Sequence, residues 1–209
     1  MSELVLPFVV RIERSDPPTQ TDALEAAARA VLLMLTDPRP EWTEAVAAWD
    51  GQRIRKVVRR ARGAEWRRAR KLDGLDVAQG RAELRVYPPI LVDAWPPDLA
   101  RLQVGGTNLE DPDPPPPVAP GTPVVLLSPS ADMTTGKAMA QAAHAAQLGW
   151  RSLSRRRRSA WQDAGFPVAV RDASPDQWQR AVRAGAPVVH DGGFTEVEPG
   201  TATALFVAR

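Results

Sequence analysis

The chain has 209 residues, of which 44% are hydrophobic and 25% are charged, and its formal net charge is +2. These values are typical of one large globular domain or two small ones, and they argue against wholesale disorder. The chain contains no cysteine and only two histidines, which excludes a thiol nucleophile and argues against a metal site. No apolar run approaches the ~20 residues that span a bilayer, and the N-terminal segment lacks a signal-peptide pattern. We therefore expect a cytoplasmic protein with no membrane partner.

Basic charge is concentrated in two stretches. Residues 52–71 carry ten lysines or arginines and a single acid, Glu65, and residues 155–158 are four consecutive arginines. Clusters of this kind bind phosphate groups, but they also form the solvated faces of helices in arginine-rich proteins. The sequence leaves both interpretations open.

A proline-rich segment divides the chain. Residues 105–123 include four consecutive prolines, which fix the backbone φ angle and remove hydrogen-bond donors, so the segment is predicted to be an extended, semi-rigid linker. It separates residues 1–104 from residues 124–209, which we predict to be two structural units. The favoured interpretation is a spacer with no partner of its own, and the alternative is a ligand for a proline-binding module.

The two units resemble each other. Without a gap, nine of 25 positions match between the segments that begin at Val9 and Val124, and eight of 22 match between those that begin at Ala48 and Ala160. The matched positions include two pairs of tryptophans, which alanine-rich composition does not explain. The sequence therefore predicts an internal duplication of a unit of roughly 90–100 residues. The matched tryptophans are Trp49 with Trp161 and Trp66 with Trp178.

Short apolar runs alternate with helical patterns in both units. Each unit is expected to run strand, helix, strand, helix, strand, with a final strand in the second unit. There, strands are predicted near residues 124–127, 167–170, 187–190 and 203–207, and helices near 135–153 and 175–184. Ser174 is the expected N-cap of the last helix, and Gly185 is expected to end it. Strands that alternate with helices predict an α/β sandwich with a mixed or parallel sheet.

The helix near residues 135–153 carries polar residues on one face. Lys137, Gln141 and His144 are spaced by four and three residues, so they project from the same side. A lysine in the first helical turn opposes the helix dipole, but together with the free N–H groups it forms an anion site for a phosphate or a developing oxyanion. The alternatives are a surface lysine and a histidine that serves only the structure of the helix.

A second polar cluster follows the strand near residues 187–190. Asp191 comes directly after that strand, Gly193 belongs to a turn, and Thr195 and Glu196 come next. Strand ends in such sheets commonly hold ligands, so Asp191 is a candidate for holding a charged partner or a water molecule. The alternative is a turn aspartate that bonds its own backbone.

Together these two stretches resemble the archaeal and eukaryotic-type peptidyl-tRNA hydrolase family. The family patterns M-x-x-G-K-x-A-x-Q-x-x-H-A-A and D-A-G-x-T-x-x-x-x-G-[S/T]-x-T are matched in order over residues 124–209, except that Met139 and Gly192 stand where the patterns have alanine. The resemblance implies a three-layer α/β/α sandwich around a mixed sheet in each unit. The matched residues are Met133, Gly136, Lys137, Gln141, His144, Ala145 and Ala146, then Asp191, Gly193, Thr195, Gly200, Thr201 and Thr203.

The reaction implied by the resemblance is hydrolysis of the ester that joins a peptide to the 3′ end of tRNA, with no metal and no cofactor. Lys137 is expected to stabilise an oxyanion or phosphate, Asp191 to hold Lys137 or orient water, and Thr195 to bond substrate or water. Five further residues are expected to shape the substrate-binding site: Gly136, Gln141, His144, Gly193 and Glu196.

The first unit is interpreted as a degenerate copy of the second. In the gap-free match Asp22, Ala26 and Arg29 stand where the second unit has Lys137, Gln141 and His144. The chain is therefore expected to be a monomer with an internal pseudo-dimer, or a homodimer. Two other functions remain open: a non-catalytic RNA-binding or protein-interaction module, and a small-anion binding protein.

Overall fold

The computed structural model describes residues 3–52, 55–193 and 196–208, which form two α/β units. The first unit contains β1 (Leu4–Arg11), α1 (Gln20–Leu35), α2 (Pro40–Asp50), β2 (Arg55–Ala61), α3 (Gly63–Ala69), β3 (Leu75–Gln79), β4 (Ala82–Val86), β5 (Ile90–Leu91) and α4 (Pro97–Ala100). The second contains β6 (Val124–Leu127), α5 (Thr135–Ser152), α6 (Arg155–Asp163), β7 (Ala169–Asp172), α7 (Pro175–Arg183), β8 (Val188–His190) and β9 (Ala202–Val207).

The two sheets have the same topology. The strand order is β2-β1-β4-β3 in the first unit, where β5 also pairs with β1, and β7-β6-β9-β8 in the second. In each sheet the first two strands are parallel and the remaining pairs are antiparallel. The predicted α/β class with a mixed sheet is confirmed, and the shared order agrees with an internal duplication.

The predicted element order was incomplete in two respects. Each unit has an additional helix, α2 or α6, between its first helix and the following strand, and the first unit also ends with three unpredicted elements, β4, β5 and α4. Helix α6 gave little periodic signal because Trp161 is its only buried residue among those described, while Ser154 caps its first turn. With a single buried residue, the segment shows no helical periodicity, and its sequence cannot be told from that of an exposed basic segment. Among the described residues, no helix combines the length and the apolar character needed to cross a membrane.

Strand pairing corrects the sequence match of the two units. The equivalent residues Val57 and Ala169 pair with Pro7 and Val124, respectively. Pro7, and not Val9, is therefore the structural counterpart of Val124. A shift of two residues keeps every side chain on the same face of its strand, so both alignments bury apolar residues and the hydrophobic pattern alone does not choose between them.

A single hydrophobic core joins the two units. Helices α1 and α5 pack against each other, and each buries a series of alanines that allows the helix backbones to approach closely. Trp49 of the first unit and Phe206 of the second belong to this one cluster. Two separate clusters lie around Trp66 and Trp178, under the helices on the other faces of the two sheets.

The proline-rich segment contacts both units. Leu109 is buried, and its backbone N–H donates to Thr135 Oγ1 at 2.9 Å, at the start of α5. Asp111 accepts hydrogen bonds from the backbone N–H and the hydroxyl of Thr21, at 2.9 and 2.7 Å, at the start of α1. The segment therefore packs across the N-termini of both central helices, which a free spacer does not do. The boundaries proposed at residues 104 and 124 remain a prediction.

Candidate functional site

The first turn of α5 positions Lys137. Thr134 is the N-cap, and its hydroxyl accepts a hydrogen bond from the Lys137 backbone N–H at 3.3 Å. The Lys137 side chain is only 11% exposed, and its Nζ lies 2.5 Å from Asp191 Oδ2. A lysine at a helix N-terminus opposes the dipole, but here a buried carboxylate compensates the unfavourable charge.

Asp191 lies directly after β8 and receives hydrogen bonds on both carboxylate oxygens. Oδ2 accepts from Lys137 Nζ and, at 2.7 Å, from Gln141 Nε2, while Oδ1 accepts from the Gly193 backbone N–H at 2.8 Å. Gly193 has a φ of +74°, and a Cβ at this position would overlap Pro199. Only glycine therefore allows the turn that brings this N–H to the carboxylate.

These contacts set the charge state of Asp191. Burial alone raises the pKa of this carboxyl group, but the hydrogen bonds from Lys137, Gly193 and Gln141 and the charge of Lys137 outweigh that effect. The pKa therefore lies below its usual value of 3.8. Asp191 is an anion at neutral pH, and it is better suited to hold Lys137 in place than to accept a proton.

Thr203 on β9 fixes the orientation of Gln141. Its hydroxyl donates to Gln141 Oε1 at 2.8 Å, so the amide of Gln141 presents its N–H to Asp191. Both residues are buried. Thr203 was matched to the family pattern without any assigned role, and only the contact between β9 and α5 shows its function as a positioning residue.

Glu196 and Gly136 occupy structural positions near the start of α5. The Glu196 carboxylate accepts hydrogen bonds from the backbone N–H and the hydroxyl of Thr134, both at 2.8 Å, which places a negative charge at the helix N-terminus. A Cβ on Gly136 would lie 3.3 Å from the Thr107 side chain, and its N–H donates to the Thr107 carbonyl at 3.2 Å. Gly136 thus allows the linker to approach the helix. Thr195 lies outside the described residues.

A cleft between the two units contains these groups. Its volume is about 410 Å³. The second unit contributes Gly136, Lys137, Ala140, Gln141, His144, His190, Asp191, Gly192 and Glu196, and the first unit contributes Glu3, Arg55, Lys56, Val57, Val58 and Val104. No motif predicted that β2 would form a wall of this site, because the contact between Lys56 and Gln147 joins residues 91 positions apart.

Lys56 is the most unexpected member of that wall. Its Nζ donates to Gln147 Oε1 on α5 at 2.6 Å and lies 5.0 Å from the centre of the Trp49 ring. Burial and the nearby Arg151 hold the pKa of this amine well below its usual value, although Asp50 acts in the opposite direction. Two of the three lysines in the chain therefore line one cleft.

His144 lies on the same face of α5, between Gln141 and Gln147. Burial is the main cause that lowers its pKa to about 2, and the charges of Lys56 and Arg151 add to the effect. The imidazole is therefore neutral at physiological pH. It can offer a hydrogen bond to a substrate, but it is a weak base.

The equivalent cleft of the first unit carries different groups. A cavity of about 400 Å³ lies beside α1 and β7, and linker residues 117–119 line part of it. Glu25 pairs there with Arg171 at 2.7 Å and accepts from Gln79 at 3.0 Å. Arg29, which stands opposite His144 in the alignment, donates to the Gly165 carbonyl at 3.0 Å. Glu25 and Arg29 thus bond other side chains or the backbone in this cavity, and the interpretation of the first unit as a degenerate copy remains a prediction.

The chain has no match in two comparisons with known proteins. No protein-family model matches it, and no curated protein matches it. Within the described ranges, no group of three or more metal-ligating side chains is close enough to hold an ion.

Proposed function

We propose that this protein is a peptidyl-tRNA hydrolase whose active site lies in the cleft between the two units. The observation that carries the proposal is the hydrogen-bonded cluster of Lys137, Asp191 and Gln141 at one end of that cleft. These three residues stand at matched positions of the motifs that resemble the family. A cleft of about 410 Å³ is within the size range of small-molecule sites, and it suits a terminal nucleoside with its attached acyl group.

The reaction needs electrostatic stabilisation more than it needs a strong base. Water adds to the ester carbonyl carbon, the bond to the ribose 3′ oxygen breaks, and the proton lost by water ends on that oxygen. Negative charge develops on the carbonyl oxygen during the addition, and the Lys137 ammonium group stabilises it. Asp191 holds Lys137, and Gln141 holds Asp191 through its side-chain N–H, so both act as positioning residues. No metal or cofactor enters this scheme, and we assign the reaction to the cytoplasm.

Deacylation of N-acetyl-aminoacyl-tRNA tests the proposal. Lys137→Ala is expected to reduce kcat by at least about 100-fold, because an oxyanion donor contributes a factor of this size. Lys137→Arg keeps the charge and is expected to retain part of the activity. Lys71→Ala, which removes an exposed lysine of the first unit, is the matched control and should leave the rate unchanged. Full activity of Lys137→Ala would disprove the assignment.

One observation favours a second candidate, a non-catalytic RNA-binding module. The pKa values of both Asp191 and His144 are lowered, so neither group is prepared to accept a proton at neutral pH. A wild-type protein that binds tRNA in a salt-sensitive manner, without any turnover above the rate in buffer, would identify this second function.

A further inference from the structure

The first unit contains a cavity lined by arginines that the proposed reaction does not use. We call it the arginine cavity. Its volume is about 490 Å³. Among the described residues, its lining includes one carboxylate, that of Glu65, and four guanidinium groups, those of Arg14, Arg60, Arg62 and Arg101. Such an excess of positive charge around one concave surface attracts anions.

Among the described residues, two of these arginines have a side-chain partner and two do not. Arg60 bonds the Gln103 side chain, and Arg101 pairs with Asp98 at 3.2 Å. Arg14 and Arg62 are exposed, and within the described part of the chain neither one forms an ion pair or donates a side-chain hydrogen bond. The hydrogen bonds from the Gly63 backbone and from Arg11 are the main causes that lower the pKa of the nearby Glu13, and the charge of Arg62 contributes less than either.

Other arginines of the basic stretch at residues 52–71 have structural partners. Arg59 lies 4.2 Å from the Trp95 ring centre and donates to the Leu102 carbonyl. Arg68 pairs with Asp98 at 3.5 Å, and Arg70 pairs with Asp76 at 3.0 Å. From this stretch the arginine cavity therefore receives Arg62, which faces solvent and forms no such contact within the described residues, and Arg60, which bonds Gln103.

The arginine cavity lies beside the cleft. Alternate residues of a strand share one face, so Lys56, Val58 and Arg60 of β2 point to the same side. The first two line the cleft and the third lines the arginine cavity. Val58 and Arg60 are separated by only ~7 Å along the strand. The consecutive residues Gln103 and Val104 line the arginine cavity and the cleft, respectively.

The duplicated unit shows that this charge is not a requirement of the fold. By the alignment that pairs Trp49 with Trp161, the counterparts of Arg60 and Arg62 are Asp172 and Ser174. In the second unit, an acidic residue and a serine therefore occupy the positions that are arginines in the first. Arg60 and Arg62 therefore occur in the first unit and not at the matched positions of the second.

We infer that the arginine cavity binds backbone phosphates of the tRNA whose 3′ end enters the cleft. This inference rests on the proposed function. The planar guanidinium group binds phosphate oxygens through two parallel hydrogen bonds. Arginines beside the open cleft are placed to contact the RNA strand that leads to the reacting ester. The first unit, which has lost the chemistry, thereby contributes the recognition of the RNA backbone.

Binding of uncharged tRNA, measured by fluorescence anisotropy from 50 to 300 mM KCl, tests the inference. The Arg14→Ala/Arg62→Ala variant is expected to weaken binding by about tenfold at 0.1 M KCl and to reduce the salt slope by about 2. The Arg180→Ala/Arg183→Ala variant loses the same charge from α7 of the other unit and should bind like wild type. The Arg14→Lys/Arg62→Lys variant keeps the charge and should keep the salt slope.

The outcomes separate this inference from the proposed function. Wild-type affinity and slope in the Arg14→Ala/Arg62→Ala variant would overturn the inference, even if the protein hydrolyses its substrate through Lys137. Binding that depends on these two arginines in a protein without turnover would support the inference and overturn the hydrolase. A wild-type protein that binds no tRNA would overturn both.

Discussion

Trp49 and Trp161 make the same hydrogen bond in the two units. The indole N–H of Trp49 donates to the Arg55 carbonyl at 2.9 Å, and that of Trp161 donates to the Pro167 carbonyl at 2.8 Å. Each bond spans six residues and ties an additional helix, α2 or α6, to the start of the next strand. The repeated tryptophans in the sequence thus reflect a repeated structural bond as well as a repeated hydrophobic position.

We expect Trp49→Phe and Trp161→Phe to destabilise the protein by similar amounts. Each change leaves a carbonyl without its partner and a small cavity beside a shared core, which together cost about 2–3 kcal/mol in the free energy of unfolding. Urea unfolding followed by circular dichroism measures the effect. Because both tryptophans belong to one cluster, unfolding should remain a single transition in each variant. Two separate transitions would contradict the shared core.

Gly149→Ala is expected to destabilise the protein although alanine favours helices. The gain in helix propensity is about 1 kcal/mol, but a Cβ at this position would overlap the ring of Phe206. That ring packs against Trp161 at 5.4 Å between ring centres and has little freedom to move. Overpacking costs about 1–3 kcal/mol, so the net effect is a loss. Gly149→Ala combined with Phe206→Leu should recover part of it in thermal unfolding.

Asp191→Asn is expected to lower the free energy of unfolding at pH 7 by about 3 kcal/mol, because Lys137 loses its buried counter-charge. The pKa of Asp191 is lowered in the folded protein, so its stabilisation is present above 3.8 and is lost as the pH falls through the folded value. The difference between wild type and variant should therefore shrink in acid. A difference that stays constant from pH 7 to pH 2.5 in urea titrations would contradict the ion pair.

His144→Gln is expected to make the free energy of unfolding less dependent on pH below pH 6.5. The pKa of His144 falls from 6.5 to about 2 on folding, so below pH 6.5 the unfolded chain binds a proton that the folded chain does not. Wild-type stability should then fall by up to about 1.4 kcal/mol for each pH unit between 6.5 and 5. Urea titrations at three pH values measure this slope. His190→Gln, which removes the exposed histidine, is the matched control.

Local patterns predicted the parts of the molecule that depend on neighbouring residues. The ends of α5 and α7 were predicted to within one or two residues, because Thr134 and Ser174 cap them. Helix α6 was not predicted because only Trp161 is buried along it. The face of α5 that carries Lys137, Gln141 and His144 was predicted from spacing alone. Its roles in catalysis and in substrate binding remain predictions.

Contacts between the two units were not predicted from the sequence. The bond between Lys56 and Gln147 joins two polar residues 91 positions apart, and neither belongs to a motif. The linker was predicted to be a spacer because its prolines exclude regular structure, yet Leu109 and Asp111 hold it against two helices. Propensity and periodicity describe each segment by itself, whereas these contacts depend on how finished segments pack.

The cleft has one wall from each unit, and both walls belong to one polypeptide. Because the two walls are covalently connected, they assemble within one molecule, and the site forms equally well at any protein concentration. Under the proposed function, turnover per molecule should then be independent of dilution from about 10 µM to about 10 nM, whereas a site built from two separate chains would disassemble below its dissociation constant. Fusion of the two units thus makes the site independent of protein abundance.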